Sequence, residues 1–228
     1  MKTLIISGQN HKGSTYHIAR ELADKIGGET KEFFLPKDFG EFCIGCTGCF
    51  MKGEEYCPHY EKLNPITKAM DEADVIILNS PVYVFHVTGA MKAFLDHLGY
   101  RWMIHRPRRN MFHKQGVCIS TAAGAGTKST NKDMAHSFFN WGVPKTYKYG
   151  IAVAATNWEM VSEKKKKAID KKTTKMANQI RRRCGRVKPN LFTRGFFLVC
   201  RAIQKTGFNS NDKKYWEETG WMDKKRPW

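Results

Sequence analysis

The hydrophobic and polar positions of the chain form two alternating kinds of segment. Short apolar runs rich in β-branched residues predict strands at residues 2–7, 31–35, 75–79, 116–120 and 149–155. Longer segments with helical periodicity follow them, at residues 14–26, from about Pro65, and at residues 89–98, 130–139 and 159–183. Strands that alternate with helices predict an α/β fold, a doubly wound sheet of five parallel strands with helices on both faces.

The last 40 residues lie outside this pattern. We therefore predict one domain over residues 1–188 and a C-terminal extension over residues 189–228, in which basic residues accompany Leu191, Phe192, Phe196, Phe197, Leu198, Trp216, Trp221 and Trp228. This aromatic and basic arm is expected to pack on the core or on a second copy of the chain. Docking to a membrane surface is the alternative, because aromatic and cationic side chains together suit a lipid interface.

Charge is distributed unevenly along the chain. The 228 residues carry a net charge of +18, of which residues 1–120 contribute +2 and residues 121–228 contribute +16. The densest basic runs, 164–167 and 181–183, fall in one predicted helix, which favours a solvated helix face over a nucleic-acid-binding surface. No stretch approaches the roughly 20 apolar residues of a membrane span. The N-terminal segment lacks the features of a signal peptide, so the expected location is the cytoplasm.

Four of the seven cysteines form a compact tract. Cys43, Cys46, Cys49 and Cys57 have the spacing C-x2-C-x2-C-x7-C, in the segment CIGCTGCFMKGEEYC. Thiols at every third position cannot easily close a tetrahedral site around one small ion, whereas each can bind its own iron of a [4Fe-4S] cluster. Free thiols in a tight loop and a zinc site remain the alternatives. The other three, Cys118, Cys184 and Cys200, lie among apolar residues and are predicted to be buried thiols.

Three polar loops follow predicted strands, and their strand ends meet at one edge of a parallel sheet. The first, SGQNHKGST, leads into a helix start whose free N–H groups can hold a phosphate. It matches neither the P-loop nor the usual dinucleotide fingerprint. The second, SPVYVFHVTG, offers aromatic side chains, and the third, STAAGAGTK, offers small residues next to which a planar ring could lie. Together the loops indicate a binding site for a nucleotide with an aromatic ring.

These loops and the cysteine tract carry a family resemblance. The segments SGQNHKGST, CIGCTGCFMKGEEYC, ADVIILNSPVYVFHVTGAMKAFLDH and ISTAAGAG resemble the flavodoxin-like NAD(P)H-dependent oxidoreductases, which include NADPH-dependent FMN reductases and iron-sulfur flavoproteins. The resemblance covers roughly residues 1–180 and implies an FMN site made of Ser7, Asn10, His11, Ser14, Thr15, Pro81, Val82, Tyr83, Val84, Thr121, Ala122, Ala123 and Gly124. The chain departs from its relatives in the first loop, where it has Asn10 and Lys12 and they often have an arginine.

The resemblance implies an FMN enzyme that takes hydride from NADH or NADPH and reduces a small-molecule electron acceptor, such as a quinone, a flavin or another small aromatic compound. No side chain is required as a nucleophile, and Tyr83 or His86 is the candidate proton donor to a reduced product. An iron-sulfur flavoprotein that carries electrons to a redox protein partner is the first alternative. A basic module that binds nucleic acid or a membrane surface is the rival from another class. We expect a homodimer.

The segment between the third predicted helix and the fourth strand, residues 100–114, is unusually long and rich in aromatic and basic residues. We predict that it covers the active site, with Arg106, Arg108 and Arg109 as candidates to bind the phosphate of a pyridine nucleotide. Packing on the surface or against a second subunit is the alternative for each of them. The lone histidines His86, His97 and His113 show no carboxylate partner in the sequence and are weak catalytic candidates.

Overall fold

The fold is built on a five-stranded sheet. The computed structural model describes all of residues 1–228. The strands are β1 Lys2–Ser7, β2 Glu29–Phe34, β3 Val75–Asn79, β4 Gln115–Ala122 and β5 Lys145–Ala152. Every pairing is parallel, in the order β2-β1-β3-β4-β5. This is the flavodoxin-like strand order, and it confirms the predicted fold class.

Eight helices accompany the sheet. They are α1 Ser14–Ile26, α2 Gly48–Met51, α3 Tyr60–Glu72, α4 Gly89–Asp96, α5 Thr127–Asn140, α6 Glu163–Arg183, α7 Leu191–Lys205 and α8 Ser210–Glu218. None is both long and apolar enough to cross a membrane.

Two element boundaries differ from the sequence prediction for identifiable reasons. Helix α3 starts at Tyr60, and Pro65 lies inside it rather than in its first turn. The added turn is held by the packing of buried Leu63 against the core, which local sequence does not reveal. Strand β5 begins at Lys145, four residues before the predicted start. It is an edge strand, and its first residues are partly exposed and polar, so they lack the apolar signal of a central strand.

Each face of the sheet buries its own cluster of apolar side chains. One cluster of 15 buried residues joins the sheet to α1 and α6, and another of 24 buried residues joins the opposite face to α3, α4 and α5. Strands β3 and β4 are buried along their whole length, which fits the apolar run of β3 and the apolar centre of β4, Val117 to Ile119. At about 1.5–3 kcal/mol for each large apolar side chain buried, these two layers supply the main stabilisation of the fold.

The C-terminal arm packs on the core, which is one of the two arrangements that we expected. A third buried cluster contains Phe197, Cys200, Trp216 and Trp221 of the arm with Met103 and Phe112 of the segment that precedes β4. The outer side of α7 is left exposed and apolar, with Leu191, Phe192, Leu198, Val199 and Ile203. The arm therefore has one buried face and one largely exposed face, of which Phe192 stacks on Phe139 of α5.

Candidate functional site

An open cleft of about 190 Å³ lies at the carboxyl ends of the strands. The cleft is lined by the four loops that follow β1, β3, β4 and β5. The lining residues are Gln9, His11, Gly13, Ser14, Thr15, Pro81, Val82, Tyr83, Thr121, Ala122, Ala123, Val153, Ala155 and Thr156. The three loops singled out in the sequence thus meet at one place.

Backbone hydrogen bonds fix these loops to one another. The N–H of Gly8 donates to the carbonyl of Asn79 at 2.7 Å, and that of Val82 donates to the carbonyl of Thr121 at 2.9 Å. The N–H of Val153 likewise donates to the carbonyl of Ala122 at 3.0 Å. The floor of the cleft is therefore formed without a ligand.

The start of α1 has the features of an anion site. Gly13 is the N-cap residue and has no side chain to cap the helix. The backbone N–H groups of Ser14, Thr15 and Tyr16 have no hydrogen-bond acceptor within the chain. Unpaired N–H groups at the positive end of a helix dipole bind phosphate and similar anions. The hydroxyl of Thr15 is held 2.5 Å from the hydroxyl of Thr121, which joins the first loop to the third.

The second loop ends in a tight hairpin. Tyr83 and His86 exchange two backbone hydrogen bonds of 3.0 Å, and Val84 and Phe85 occupy the two turn positions. Their φ angles of +48° and +65° lie in the left-handed region, which a β-branched residue such as valine rarely adopts. Val84 is 90% exposed. Gly126 lies against this loop, and a Cβ there would approach Val82 to 2.5 Å, so glycine is required at that position.

Nine of the residues predicted to bind FMN line the cleft, and four do not. Ser7 is buried beneath it and accepts a hydrogen bond from Asn79, Asn10 is exposed, Val84 is at the hairpin tip and Gly124 is exposed beside the third loop. As cofactor contacts, all thirteen stay predictions. Five further lining residues were not predicted from the sequence: Gln9, Gly13, Val153, Ala155 and Thr156. The last three follow β5, which ends at the same edge of the sheet as the other strands. That position could have predicted them as lining residues.

A second cavity, of about 390 Å³, lies on the other side of the hairpin. Lys92, Trp102 and His136 are among its lining residues, and so are His86 and Asp133. The Nδ1 atom of His86 is 2.9 Å from a carboxylate oxygen of Asp133. The expectation that His86 has no carboxylate partner is therefore wrong, because Asp133 comes from α5, 47 residues away in the chain. Of the other two histidines, His97 contacts His59 and His113 contacts a backbone carbonyl.

The cysteine tract folds back on itself. A Cβ at Gly48 would lie 2.9 Å from the carbonyl of Tyr56, so only glycine lets these two parts of the tract approach so closely. Burial, followed by the nearby thiols of Cys57, Cys43 and Cys46, raises the pKa of Cys49 to about 11. The four thiols are thus close enough to act on one another. A set of four sulfur donors, of which Cys43 and Cys46 are exposed, fits a [4Fe-4S] cluster.

Of the three remaining cysteines, Cys118 and Cys200 are buried as predicted. Cys184 is exposed, which contradicts the prediction, because it directly follows the end of α6 and its side chain does not face the core.

The arginines between α4 and β4 have structural partners. Arg106 donates to the carbonyls of Cys49 and Phe50 in the tract and pairs with the fully buried Asp212 of α8. Asp212 is also 2.7 Å from Nδ1 of His105. Arg108 pairs with Glu54. The expectation that Arg106 and Arg108 bind a nucleotide phosphate is therefore not supported, since both guanidinium groups are engaged, while Arg109 is exposed.

Comparison with known proteins places this fold and cleft in a family. The model of the NADPH-dependent FMN reductase family matches residues 1–157. An iron-sulfur flavoprotein of Methanocaldococcus jannaschii is 35% identical over 147 residues, which cover 61% of this chain and 72% of that protein. An iron-sulfur flavoprotein of Archaeoglobus fulgidus is 31% identical, over 57% of each chain. An NADPH azoreductase of a Bacillus species is 27% identical over 58% of this chain and 64% of that protein.

Solved structures show the same fold at low sequence identity. An NADH:FMN oxidoreductase in its apo form has a TM-score of 0.56 at 17% identity, over 85% of this chain and 93% of that one. An FMN-dependent NADH-azoreductase of Bacillus anthracis, in complex with FMN, has a TM-score of 0.57 at 14% identity, over 78% of this chain and all of that one.

The fold and the cleft at its strand ends define a flavodoxin-like protein. Within that class, the chain belongs to the NADPH-dependent FMN reductase family. Membership places it among the oxidoreductases that use FMN and NAD(P)H, and it confirms the resemblance seen in the sequence.

Proposed function

We propose that the cleft binds FMN with its phosphate at the start of α1. We propose further that the protein uses NAD(P)H to reduce a small aromatic acceptor. The observation that carries this proposal is the set of unpaired N–H groups of Ser14, Thr15 and Tyr16 at a helix start with no side-chain cap. The hydroxyl groups of Thr15 and Thr121 add donors to the same place. Tyr83, which lines the cleft and is half exposed, supplies an aromatic wall for the ring.

When bound, FMN supplies the hydride-accepting and electron-donating chemistry. The residues of the chain hold the cofactor and the acceptor in position and supply protons. The fixed loop amides hold the phosphate and the edge of the ring, and the open side of the cleft leaves room for a nicotinamide and an acceptor in turn.

The His86–Asp133 pair is the proposed proton donor to the acceptor. Asp133 engages Nδ1 and so fixes the orientation of the imidazole, which leaves Nε2 as the atom that can give or take a proton. His86 lies between the cleft and the second cavity, where Trp102 offers an aromatic surface. We propose that an acceptor in the cleft, such as a planar quinone or azo compound, extends into this cavity.

Anaerobic purification followed by an absorption spectrum tests the main proposal. We expect flavin bands, or their appearance after addition of micromolar FMN, and then NAD(P)H oxidation that depends on a quinone. A chain that neither contains nor takes up FMN at these concentrations would overturn the assignment.

A second candidate function is electron transfer through a [4Fe-4S] cluster at Cys43, Cys46, Cys49 and Cys57, with a redox protein as the partner. The convergence of the four thiols and the names of the iron-sulfur flavoprotein relatives favour it. The same anaerobic spectrum tests it, because a cluster adds a broad shoulder that disappears when Cys46 is replaced by serine. Four irons per chain support this candidate, and a spectrum with flavin alone contradicts it.

We also propose a cytoplasmic homodimer that forms through the exposed face of α7. Gly195 and Ala202 lie on this helix among the exposed apolar residues, and their small side chains allow close approach of a second helix. Leu198→Glu should convert the dimer to a monomer in sedimentation velocity. A wild-type monomer that binds anionic vesicles through this face would instead support the membrane-surface alternative.

A further inference from the structure

A set of three metal-ligating side chains lies beside the cysteine tract, outside the flavin cleft. Cys57 at the end of the tract, His59 just before α3 and His97 just after α4 each bring a ligand atom within 4.8 Å of the other two. His97 is 4% exposed, and Cys57 and His59 are partly buried. The three residues come from two separate parts of the chain, so only the fold brings them together.

Hydrogen bonds fix which nitrogen of His97 is free to bind an ion. Its Nδ1 atom is 2.7 Å from the carbonyl of Ala93, so Nδ1 must carry a proton and donate it there. The lone pair of Nε2 therefore faces Nδ1 of His59, at 2.9 Å. A histidine whose second nitrogen donates to a backbone carbonyl has the arrangement that is usual for metal ligands.

The position of the histidine pair is rigid. The ring of Phe39 packs edge-on against that of His97, with the ring centroids 4.8 Å apart. Pro58, between Cys57 and His59, restricts the backbone that joins two of the ligands. These contacts hold the donor atoms near one point without an ion.

We propose that Cys57, His59 and His97 bind one thiophilic divalent cation, with Zn²⁺ as the ion that this donor set favours. One thiolate and two imidazoles are ligands of tetrahedral zinc sites, in which a water completes the shell. On binding, the thiol of Cys57 loses its proton to solvent. The ion replaces the hydrogen bond between the imidazoles, and the proton of His59 moves to its Nε2 atom, so one proton is released per ion.

The site has a consequence for the tract. Cys57 is also the fourth thiol of the proposed cluster. One chain can therefore hold either an ion at this site or a four-thiolate cluster, but not both. An ion would tie the tract to the end of α4. The N-cap residue of that helix is Thr88, whose hydroxyl donates to the carbonyl of Gly8 in the first loop of the cleft.

Titration of the metal-free full-length chain with Co²⁺, under anaerobic conditions and with reduced thiols, tests the proposal. Bound Co²⁺ reports a thiolate ligand by a charge-transfer band, and Zn²⁺ should displace it at a stoichiometry of one. We expect Cys57→Ser to abolish the band. His59→Ala and His97→Ala should each weaken binding at least about tenfold. Cys43→Ser and the matched histidine control His136→Ala should bind as the wild type does.

Two outcomes would overturn the proposal. One is unchanged Co²⁺ affinity in both histidine variants together with its loss in Cys43→Ser, which would show a site made of thiolates alone. The other is absence of Co²⁺ binding by the wild-type chain. FMN binding by each variant serves as the check of folding, and because it does not involve these residues, the metal site and the flavin function can fail separately. His97→Gln repeats the test if His97→Ala does not fold.

Discussion

At the scale of single residues, the cleft depends on hydroxyl groups whose neighbours are fixed. Thr15 and Thr121 are buried, and their hydroxyls share one hydrogen bond. One of the two must act as its donor, so the other keeps a proton that can point into the cleft toward an anion.

We predict that Thr15→Val and Thr121→Val each raise the Kd for FMN about tenfold, close to 1.4 kcal/mol. Either change breaks the hydrogen bond that fixes the orientation of the remaining hydroxyl, so the effects of the two single changes overlap and the double variant should lose less than their sum. Fluorescence titration of FMN measures this. Thr3→Val is the matched control, because the buried hydroxyl of Thr3 has no partner and lies at the far end of β1. Strictly additive losses would contradict the shared-donor account.

The pair of His86 and Asp133 gives a prediction that separates proton transfer from electron transfer. Asp133→Asn should lower turnover with a quinone at pH 7 by roughly 10²-fold, the scale of general acid catalysis, since the imidazole loses its orienting carboxylate. Turnover with ferricyanide, which takes up electrons without protons, should stay within about twofold of the wild type. An equal loss with both acceptors would assign the pair a structural role.

At the scale of elements, the hairpin between β3 and α4 combines strain with exposure. Val84 and Phe85 both have positive φ angles, the pattern of a type I′ turn, in which Asn-Gly is preferred. Backbone strain of this kind costs of order 1–3 kcal/mol per residue and occurs mostly at functional sites.

Replacement of both turn residues, Val84→Asn with Phe85→Gly, should therefore stabilise the protein by roughly 1–3 kcal/mol in urea unfolding. Turnover with a quinone should fall, because the exposed apolar tip beside the second cavity is lost. Phe208→Asn, at an exposed position between α7 and α8 with no unusual φ angle, is the control and should change stability by less than about 0.5 kcal/mol. A destabilised double variant would show that the two side chains pack favourably and that the turn is not strained.

At the scale of the whole molecule, the C-terminal arm holds the cysteine tract in place. Asp212 of α8 is fully buried and pairs with Arg106, which in turn donates to the carbonyls of Cys49 and Phe50. Asn209 of the arm donates to Phe50 as well. The arm is thus part of the support of the tract and not a separate appendage.

Removal of the buried carboxylate should loosen this support. Asp212→Ala leaves Arg106 without its partner and is expected to destabilise the chain by about 3 kcal/mol. The rate at which iodoacetamide modifies Cys49 should rise at least about fivefold. Asp170→Ala, which breaks an exposed pair with Lys25, is the control and should cost less than about 1 kcal/mol. Unaltered Cys49 reactivity in a destabilised Asp212→Ala chain would separate the arm from the tract.

The same reaction has a predicted pH dependence in the wild-type, metal-free chain. Burial and the neighbouring thiols raise the pKa of Cys49 to about 11, so only a small fraction is thiolate at pH 8. The modification rate of Cys49 should therefore rise about tenfold per pH unit between pH 8 and 10, since the thiolate is the reactive form. A plateau below pH 9, measured by mass spectrometry of tryptic peptides, would contradict the raised pKa.

The sequence by itself determined the sheet and the loops at its edge. The bounds of β1, β3 and α1 follow from local apolar patterns, and parallel strands necessarily gather the loops after them, which include Thr15, Tyr83 and Thr121. Those patterns act over a few residues, so a single sequence reveals them.

Only the tertiary structure decided the partnerships between distant residues. The members of these pairings lie 38 to 106 positions apart in the chain: His86 with Asp133, Arg106 with Asp212, and Cys57 and His59 with His97. No local pattern encodes such contacts, because they arise when helices and loops that pack on the sheet bring their side chains together. The chemistry of the lone histidines and of the arginines was therefore decided by the fold, whereas the place of the cleft was already given by the order of strands and helices.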